Sequence, residues 1–285
     1  MPQMGAEVFA GHGSMKPGGS AANTSMILAM CGAPVAFHGV AGNDNAGSRI
    51  TSELGEIGLD PGFINRVNGE QTGFTVVLTY QGLGERMLVT SPGSLDKARL
   101  QDFVPGYLKQ GAHLHLASYF IQAALSPDVG GLLELARMEG MTTSLDPGHD
   151  PLGKWDMSAL TPFLEYLDWF LPNRTEFLSI TGQSNLVKAM ERFMPLTTGL
   201  VVKAGSEGAY LREPEQQEIL HFPSRAVDLL DTTCAGDAFN AGFLFGLCRG
   251  DGPADAVMQG NCFGADSCGV VGLPREQDHF RKLVE

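Results

Sequence analysis

A polar turn near the C-terminus carries the residue types that phosphoryl chemistry needs. The run Asp231-Thr-Thr-Cys-Ala-Gly-Asp237 leads into an apolar helix predicted for residues 238–247. A helix start has unpaired N–H groups and a partial positive charge, so small residues at 234–236 would let an anion approach closely. A carboxylate beside that anion could accept the proton of an attacking hydroxyl. The sequence therefore predicts Asp237 as a general base and the amides of Cys234, Ala235 and Gly236 as an anion hole. The structural alternative is an N-capping aspartate before a core helix.

The same run resembles the second signature, D-T-x-G-A-G-D, of the ribokinase-like (PfkB) carbohydrate kinases. Cys234 stands where that signature has its first glycine. A side chain is costly there only if the backbone φ angle is positive. Because cysteine is small, we expect a negative φ angle at Cys234 and an intact anion hole.

A second resemblance lies near the other end of the chain. Gly18-Gly19-Ser-Ala-Ala-Asn23 precedes a predicted helix through Met30, with Ser20 as its expected N-cap. A predicted strand at 35–40 and a Gly-Asn-Asp turn follow, as in the family's first signature. The resemblance implies that the acceptor hydroxyls contact Gly18, Gly19 and Asn23. Two further acceptor-side candidates are Ser118, where ribose-specific relatives carry a glutamate, and Arg86.

The resemblance also implies a nucleotide side. Asn173 and Glu176 match an N-x-x-E motif that acts on phosphate and hydrated Mg²⁺, although the same spacing is a helix capping box. The strand and turn at 203–208 would lie beside ATP, and Asn261 matches a position near adenine. The nucleotide candidates from these segments are Lys203, Gly205, Gly208 and Asn261. Lys203 could instead extend its ammonium to solvent at a strand end.

A monovalent cation is the remaining expected ligand. Asp231 and Thr233, with carbonyls near residues 268–272, match the positions that bind activating K⁺ in many relatives. Hard oxygen ligands suit such an ion. A hydrogen-bonded turn without an ion is the alternative.

Two further motifs lead to other expectations. His113 and His115 share one face of a predicted strand, but no third metal ligand is evident, so we expect ordinary strand histidines. Asp146 ends a predicted strand without a clear role. A Walker-type phosphate loop is excluded because Gly153-Lys154 is followed by Trp155.

Strand and helix patterns alternate from about residue 96 onward. Helices are predicted at 96–110, 127–139 and 159–166, and strands at 112–117, 141–146 and 169–171. This alternation predicts an α/β fold, a doubly wound and mainly parallel sheet flanked by helices. Two β-rich stretches at 72–80 and 86–90, with no helix between them, predict an antiparallel hairpin.

We expect a single ribokinase-like domain over 1–285, with lid strands at about 1–17 and 62–91. The resemblance makes the lid the candidate homodimer contact. Relatives begin with a strand carrying an acceptor-binding aspartate, whereas only 17 residues precede Gly18 here. The alternatives are a truncated chain or a sheet that lacks its first strand.

Composition restricts the partners. The formal net charge of -13 disfavours nucleic acid and anionic membranes as partners. Five cysteines without C-x-x-C spacing, and no apolar run long enough to span a bilayer, favour a cytoplasmic protein with reduced thiols.

The resulting functional prediction is an ATP- and Mg²⁺-dependent kinase acting on a hydroxyl of a small sugar or sugar derivative. Two alternatives are kept. One is a nucleoside kinase resembling adenosine kinase. The other is a catalytically weak ligand-binding or regulatory protein on the same fold.

Overall fold

The computed structural model describes residues 5, 7, 9, 11, 13–79, 86–102, 108–274 and 278–284. Its strands are β1 Gly39–Gly42, β2 Ile64–Val67, β3 Phe74–Thr79, β4 Arg86–Ser91, β5 His113–Ala117, β6 Thr142–Asp146, β7 Trp169–Phe170, β8 Gly199–Lys203, β9 Ala209–Arg212 and β10 Leu220–Phe222. Its helices are α1 Ser20–Met30, α2 Asn45–Glu56, α3 Val129–Met138, α4 Met157–Leu160, α5 Arg174–Thr181, α6 Leu186–Arg192, α7 Ala235–Arg249, α8 Pro253–Ser267 and α9 Asp278–Arg281.

The central sheet has six strands in the order β10-β9-β8-β7-β6-β5. Strands β5 to β8 pair in parallel, and β9 and β10 are added antiparallel at one edge. The predicted α/β fold with a mainly parallel sheet is therefore confirmed. Parallel strands bring their carboxyl ends to one edge, so the residues that follow β5, β6, β7 and β8 converge there.

Buried side chains form three clusters around this sheet. The largest lies between the sheet and α3, α5 and α6, and includes Leu132, Phe170 and Phe177. A second joins α1 to α7 and α8, and a third packs α7 and α8 against β7, β8 and β9. Helix α7 thus contacts both α1 and the sheet, which fixes its N-terminus between them.

Two short strand pairs lie outside the central sheet. Strands β3 and β4 form the predicted antiparallel hairpin, from Phe74 opposite Ser91 to Thr79 opposite Arg86. Its turn lies outside the described residues. Strand β2, within the segment expected for the lid, instead pairs in parallel with β1. Of the expected lid segment 1–17, residues 1–4, 6, 8, 10 and 12 lie outside the described residues, and no strand is assigned to the others.

Three predicted elements differ from the structure. The helix expected at 159–166 is α-helical only as far as Leu160, and Thr161–Tyr166 forms a 3-10 helix. The first part of the helix expected at 96–110 forms short 3-10 turns, at Gly93–Asp96 and Leu100–Asp102, and residues 103–107 are not described. There the Asp102 carboxylate accepts the N–H of Arg99 at 2.7 Å and closes a local turn. The strand expected at 35–40 begins only at Gly39, because pairing with β2 starts at that residue. Among the described residues, no helix has the length and apolar character to cross a membrane.

Candidate active site

Asp237 lies in the first turn of α7 and faces α1. Its Oδ1 accepts a hydrogen bond from the Ser20 hydroxyl at 2.5 Å, and its Oδ2 accepts one from the Asn23 side-chain amide at 2.7 Å. Burial raises the pKa of Asp237 to about 6, although these two hydrogen bonds lower it. A carboxylate with a pKa near neutrality is suited to accept and release a proton.

The α1–α7 contact that brings these groups together combines small side chains on α7 with larger ones on α1. Ala238 and Ala241 of α7 are completely buried, in one cluster with Met26, Ile27 and Met30 of α1. On the other side of α7, a Cβ atom on Gly242 would lie 2.8 Å from the Phe263 ring and 2.9 Å from the Gln259 carbonyl oxygen. Helix α7 is therefore closely packed against α8, and its first turn has a defined position.

Cys234 adopts a left-handed backbone conformation, with φ 66° and ψ 0°. The expectation of a negative φ angle was wrong, because the turn into α7 holds Cys234 in the left-handed region although it has a side chain. The Cys234 thiol accepts a contact from the Asn23 amide at 3.3 Å. The sequence signal for this angle was that Cys234 stands where the motif has a glycine. The sequence analysis took it to mean a negative φ angle, whereas the angle is positive.

The anion hole predicted from three amides is more restricted than expected. The Ala235 N–H donates to the Thr232 carbonyl at 3.3 Å, which occupies it in a turn. Gly236 is exposed at the helix start, and a Cβ atom there would lie 3.7 Å from the Lys203 ammonium. The helix start and a lysine thus face the same small space, an arrangement suited to an anion.

Lys203 is held in a buried polar network. Its ammonium donates to the Asp146 carboxylate at 2.6 Å and to the Asn240 side-chain oxygen at 3.1 Å. The Asn240 amide also donates to Asp146 at 2.6 Å. Burial opposes ionisation of Asp146, but Lys203 and Asn240 stabilise its charge, so its pKa is lowered. The second interpretation of Lys203, an ammonium extended to solvent, does not apply, since Lys203 is only 9% exposed.

Sequence reasoning left Asp146 without a role and missed Asn240. The only signals were that Asp146 ends β6 at the carboxyl edge of the sheet and that Asn240 follows Asp237 by three residues on α7.

Asn173 and Glu176 form the capping box of α5. The Asn173 side-chain oxygen accepts the Glu176 N–H at 2.9 Å, and Glu176 accepts the Asn173 N–H at 2.8 Å. Burial, together with the nearby charges of Asp146 and Asp237, raises the pKa of Glu176 to about 7. The capping interpretation is thus correct, and the same carboxylate still borders the site.

A cation fits this surplus of negative charge. Glu176, Asp146 and Asp237 interact electrostatically, while Lys203 is the one positive group acting on all three in the described residues. No cluster of three or more carboxylate, histidine or cysteine ligands occurs in the described part of the chain. Mg²⁺ commonly binds through one or two carboxylates, waters and substrate phosphates, so this site suits Mg²⁺ brought in with a nucleotide.

On the acceptor side, Gly19 is the N-cap of α1 with φ 104°, and the prediction of Ser20 as N-cap was wrong. Asn23 is 7% exposed, and its Oδ1 is buried without a hydrogen-bond donor among the described residues. Gly18 precedes the helix next to this site. Ser118 follows β5, also in the left-handed region, and its N–H donates to the Asp146 carbonyl at 2.9 Å. The side chain of Arg86 lies outside the described residues.

The turn after β8 is shaped by two glycines with positive φ angles, Gly205 at 61° and Gly208 at 97°. A Cβ atom on Gly208 would lie 2.0 Å from the Phe222 carbonyl oxygen, so only glycine fits. The Asn261 amide donates to that same carbonyl at 2.9 Å. Gly208 and Asn261 therefore both lie next to the Phe222 carbonyl of β10. Lys203 is at the other end of the turn that Gly208 closes.

The expected cation residues form a compact turn. One Asp231 oxygen accepts the Thr233 N–H at 2.8 Å and its hydroxyl at 2.6 Å, and the other accepts the Gly272 N–H at 2.9 Å. The Asp231 N–H donates to the Cys268 carbonyl at 3.2 Å. The segments at 231–233 and 268–272 thus adjoin, as the sequence predicts, with hydrogen bonds between them.

The two histidines lie at the other end of the β5–β6 pair. His113 hydrogen-bonds to the hydroxyls of Thr142 and Ser144, both at 2.7 Å, and His115 bonds to Ser144 at 2.8 Å. Burial lowers the pKa of His113 to about 3 and that of His115 to about 4. Both are therefore neutral strand histidines at physiological pH.

These features describe an α/β protein in which a carboxylate lies in the first turn of a helix beside a lysine, an arrangement suited to phosphoryl transfer. Comparison with known proteins gives the family. The model of the pfkB family of carbohydrate kinases matches residues 6–275, and the chain belongs to that family. It is thus a kinase that transfers a phosphoryl group to an alcohol.

Individual relatives agree with this assignment. A sugar kinase of Archaeoglobus fulgidus is 28% identical over 89% of this chain and 100% of its own length. A Klebsiella pneumoniae fructokinase is 29% identical over 94% of this chain and 92% of its own. The crystal structure of a Thermotoga maritima ribokinase superposes with a TM-score of 0.81 at 24% identity, covering 99% of this chain and 92% of that one.

Proposed function

We propose that this chain transfers the γ-phosphoryl group of ATP to a hydroxyl of a small sugar or sugar derivative, with Asp237 as the general base. The observation that carries the proposal is the position of Asp237, whose carboxylate lies in the first turn of α7 beside the exposed helix start and the Lys203 ammonium. The acceptor proton passes to Asp237 while the acceptor oxygen bonds to the γ-phosphorus. The bond from that phosphorus to the bridging oxygen breaks, and ADP leaves.

The chain's own groups have distinct roles in this step. Lys203 and the N–H groups of Cys234 and Gly236 at the start of α7 oppose the negative charge that develops on the transferring oxygens. Asn23 orients the base, and its buried Oδ1, which no described donor reaches, would accept a hydrogen bond from an acceptor hydroxyl once the site opens to it. Gly18, Gly19 and Ser118 would contact the acceptor nearby. Arg86 of the lid would reach an anionic group of the acceptor.

On the nucleotide side, Asn173 and Glu176 would act on the phosphates and on hydrated Mg²⁺, which would neutralise charge on the phosphates when bound. Gly205, Gly208 and Asn261 would border the nucleotide. An E. coli protein of this fold, with a TM-score of 0.80, was solved with ATP and Mg²⁺. The use of ATP agrees with the cytoplasmic location expected from the sequence.

We also propose two finer features. The turn at Asp231 and Thr233 would bind K⁺ with carbonyls of 268–272, and a comparison of rates in potassium and tetramethylammonium buffers at equal ionic strength tests this. The hairpin β3–β4 exposes apolar side chains on both faces, with Phe74 57% and Val89 56% exposed on one face and Leu88 53% exposed on the other. It would cover the acceptor and form a homodimer contact.

The acceptor is best searched among the compounds that relatives' names indicate. Those names include fructokinase, ribokinase, 2-dehydro-3-deoxygluconokinase and aminoimidazole riboside kinase. The panel therefore contains ketoses, aldoses, a sugar acid and nucleosides, with ADP formation measured and the phosphorylated alcohol detected by mass spectrometry. Turnover of a free sugar supports the proposal, and turnover of nucleosides alone would favour the alternative acceptor class. ATP binding without turnover on any alcohol, unchanged by Asp237→Asn, would instead indicate a ligand-binding or regulatory protein.

A further inference from the structure

Ser20 stands at the start of α1, but its hydroxyl does not cap the helix. A serine at a helix start normally caps the helix by accepting a backbone N–H. Here Gly19 occupies the N-cap position with φ 104°, so Ser20 is the first residue inside α1. Its hydroxyl instead donates across the fold to Asp237, 217 residues away, at 2.5 Å.

Ser20 and Asn23 together hold both oxygens of one carboxylate. They are three residues apart on α1, which places them on the same helix face. Ser20 donates to Oδ1 and Asn23 to Oδ2. The Thr24 hydroxyl adds a longer contact, 3.3 Å, to the Asp237 backbone carbonyl. Three side chains of α1 thus contact the residue that we propose as the base.

We infer that Ser20 is a positioning residue for the phosphoryl-transfer step. Its hydroxyl orients the Asp237 carboxylate and stabilises its ionised form, so that the base is ready before the acceptor hydroxyl arrives. This inference rests on the proposed function for its kinetic consequence, whereas its electrostatic consequence concerns Asp237 in the protein alone.

Other charged groups also act on Asp237 and have to be separated from Ser20. Asp146 on β6 raises its pKa, and Lys203 on β8 lowers it. Glu176 on α5 is itself affected by the Asp237 charge. The Ser20→Ala substitution leaves all three in place, so a change in titration would report the lost hydroxyl.

The kinetic test measures kcat/KM against pH for wild type, Ser20→Ala and Ser20→Thr, using the acceptor that the panel of alcohols identifies. As the pH falls through its pKa, a carboxylate becomes protonated and can no longer act as a base. Wild type should therefore lose activity below about pH 6. Losing one hydrogen bond to the charged form should move this limb of the Ser20→Ala profile up by roughly half to one pH unit. Ser20→Thr keeps the hydroxyl and should restore the wild-type limb. An unchanged limb in Ser20→Ala would overturn the inference.

A second measurement does not depend on catalysis. The melting temperatures of wild type and Ser20→Ala are compared at pH 5 and pH 8, with Ser25→Ala as the matched control. Ser25 is on the same helix but roughly 140° around it from Ser20. If Ser20 stabilises the carboxylate, the Ser20→Ala deficit should be about twofold larger at pH 8, where Asp237 is ionised, than at pH 5. A purely structural hydroxyl would give equal deficits and would refute the inference.

The two measurements also separate this inference from the proposed function. If wild type phosphorylates no alcohol, the proposed function fails, but the pH dependence of the Ser20→Ala deficit still decides whether Ser20 stabilises the Asp237 carboxylate. If wild type is active and both Ser20 measurements show no difference, only the inference fails.

Discussion

Cys234→Gly should make the protein more stable, although it removes a side chain. Cys234 has φ 66° and ψ 0°, a conformation that glycine adopts without strain. For other residues the left-handed region costs about 1–3 kcal/mol. Two losses oppose the gain. Glycine's extra freedom in the unfolded chain costs about 0.4–1 kcal/mol, and the 3.3 Å contact from Asn23 to the thiol is at most a weak hydrogen bond, about 0.5 kcal/mol.

If the strain is about 2 kcal/mol, subtracting the two losses leaves an expected stabilisation of about 1 kcal/mol. For a chain of this length that corresponds to a rise in Tm of roughly 2 °C. Urea unfolding followed by circular dichroism gives the free energy, and a thermal melt gives the Tm. The matched control is Cys234→Ala, which loses the thiol but keeps a Cβ atom in the left-handed region. It should therefore gain nothing. If Cys234→Gly were no more stable than Cys234→Ala, the strain argument would be refuted.

Four other substitutions, one of them made only in a double variant, test the electrostatics. Lys203→Met leaves the buried Asp146 carboxylate unpaired and should cost about 3–5 kcal/mol of stability in urea unfolding. In the double variant that adds Asp146→Asn, most of that stability should return, but the affinity for ATP, measured calorimetrically, should not. An equal loss of stability in the single and double variants would argue against the ion pair. Glu176→Gln keeps the capping box, so the Tm should change little, while the Mg²⁺ concentration for half-maximal rate should rise; an unchanged Mg²⁺ requirement would exclude Glu176 from metal binding. The folded state resists protonation of His113, whose pKa is about 3, whereas the unfolded chain binds that proton below about pH 6.5. Wild type should therefore lose stability relative to His113→Asn between about pH 7 and pH 5, and a constant difference in urea midpoints would contradict this.

The sequence was sufficient for the features that depend on local pattern. Strand and helix alternation predicted the parallel sheet, and two β-rich runs without a helix between them predicted the β3–β4 hairpin. The motif around Asp237 located the helix start, because small residues between two acids are typical of a turn that leads into a helix. These signals involve neighbouring residues, and the fold preserves them.

The remaining features depend on which helix packs against which. Ser20 meets Asp237 only because α1 packs on α7, and a single sequence does not contain that contact. The same holds for Lys203, Asp146 and Asn240, which come from two strands and a helix. Cys234 was misjudged for a different reason. Its size was used to infer its backbone angle, whereas the turn sets that angle.

The most direct test of the central claim is the rate of phosphoryl transfer by Asp237→Asn at saturating ATP and acceptor. Asparagine keeps the size of the side chain but cannot take the acceptor proton. We predict a loss in kcat of roughly 10²–10⁴-fold, with ATP affinity within about twofold of wild type. A kcat close to that of wild type, in a variant that binds ATP normally, would show that Asp237 is not the base.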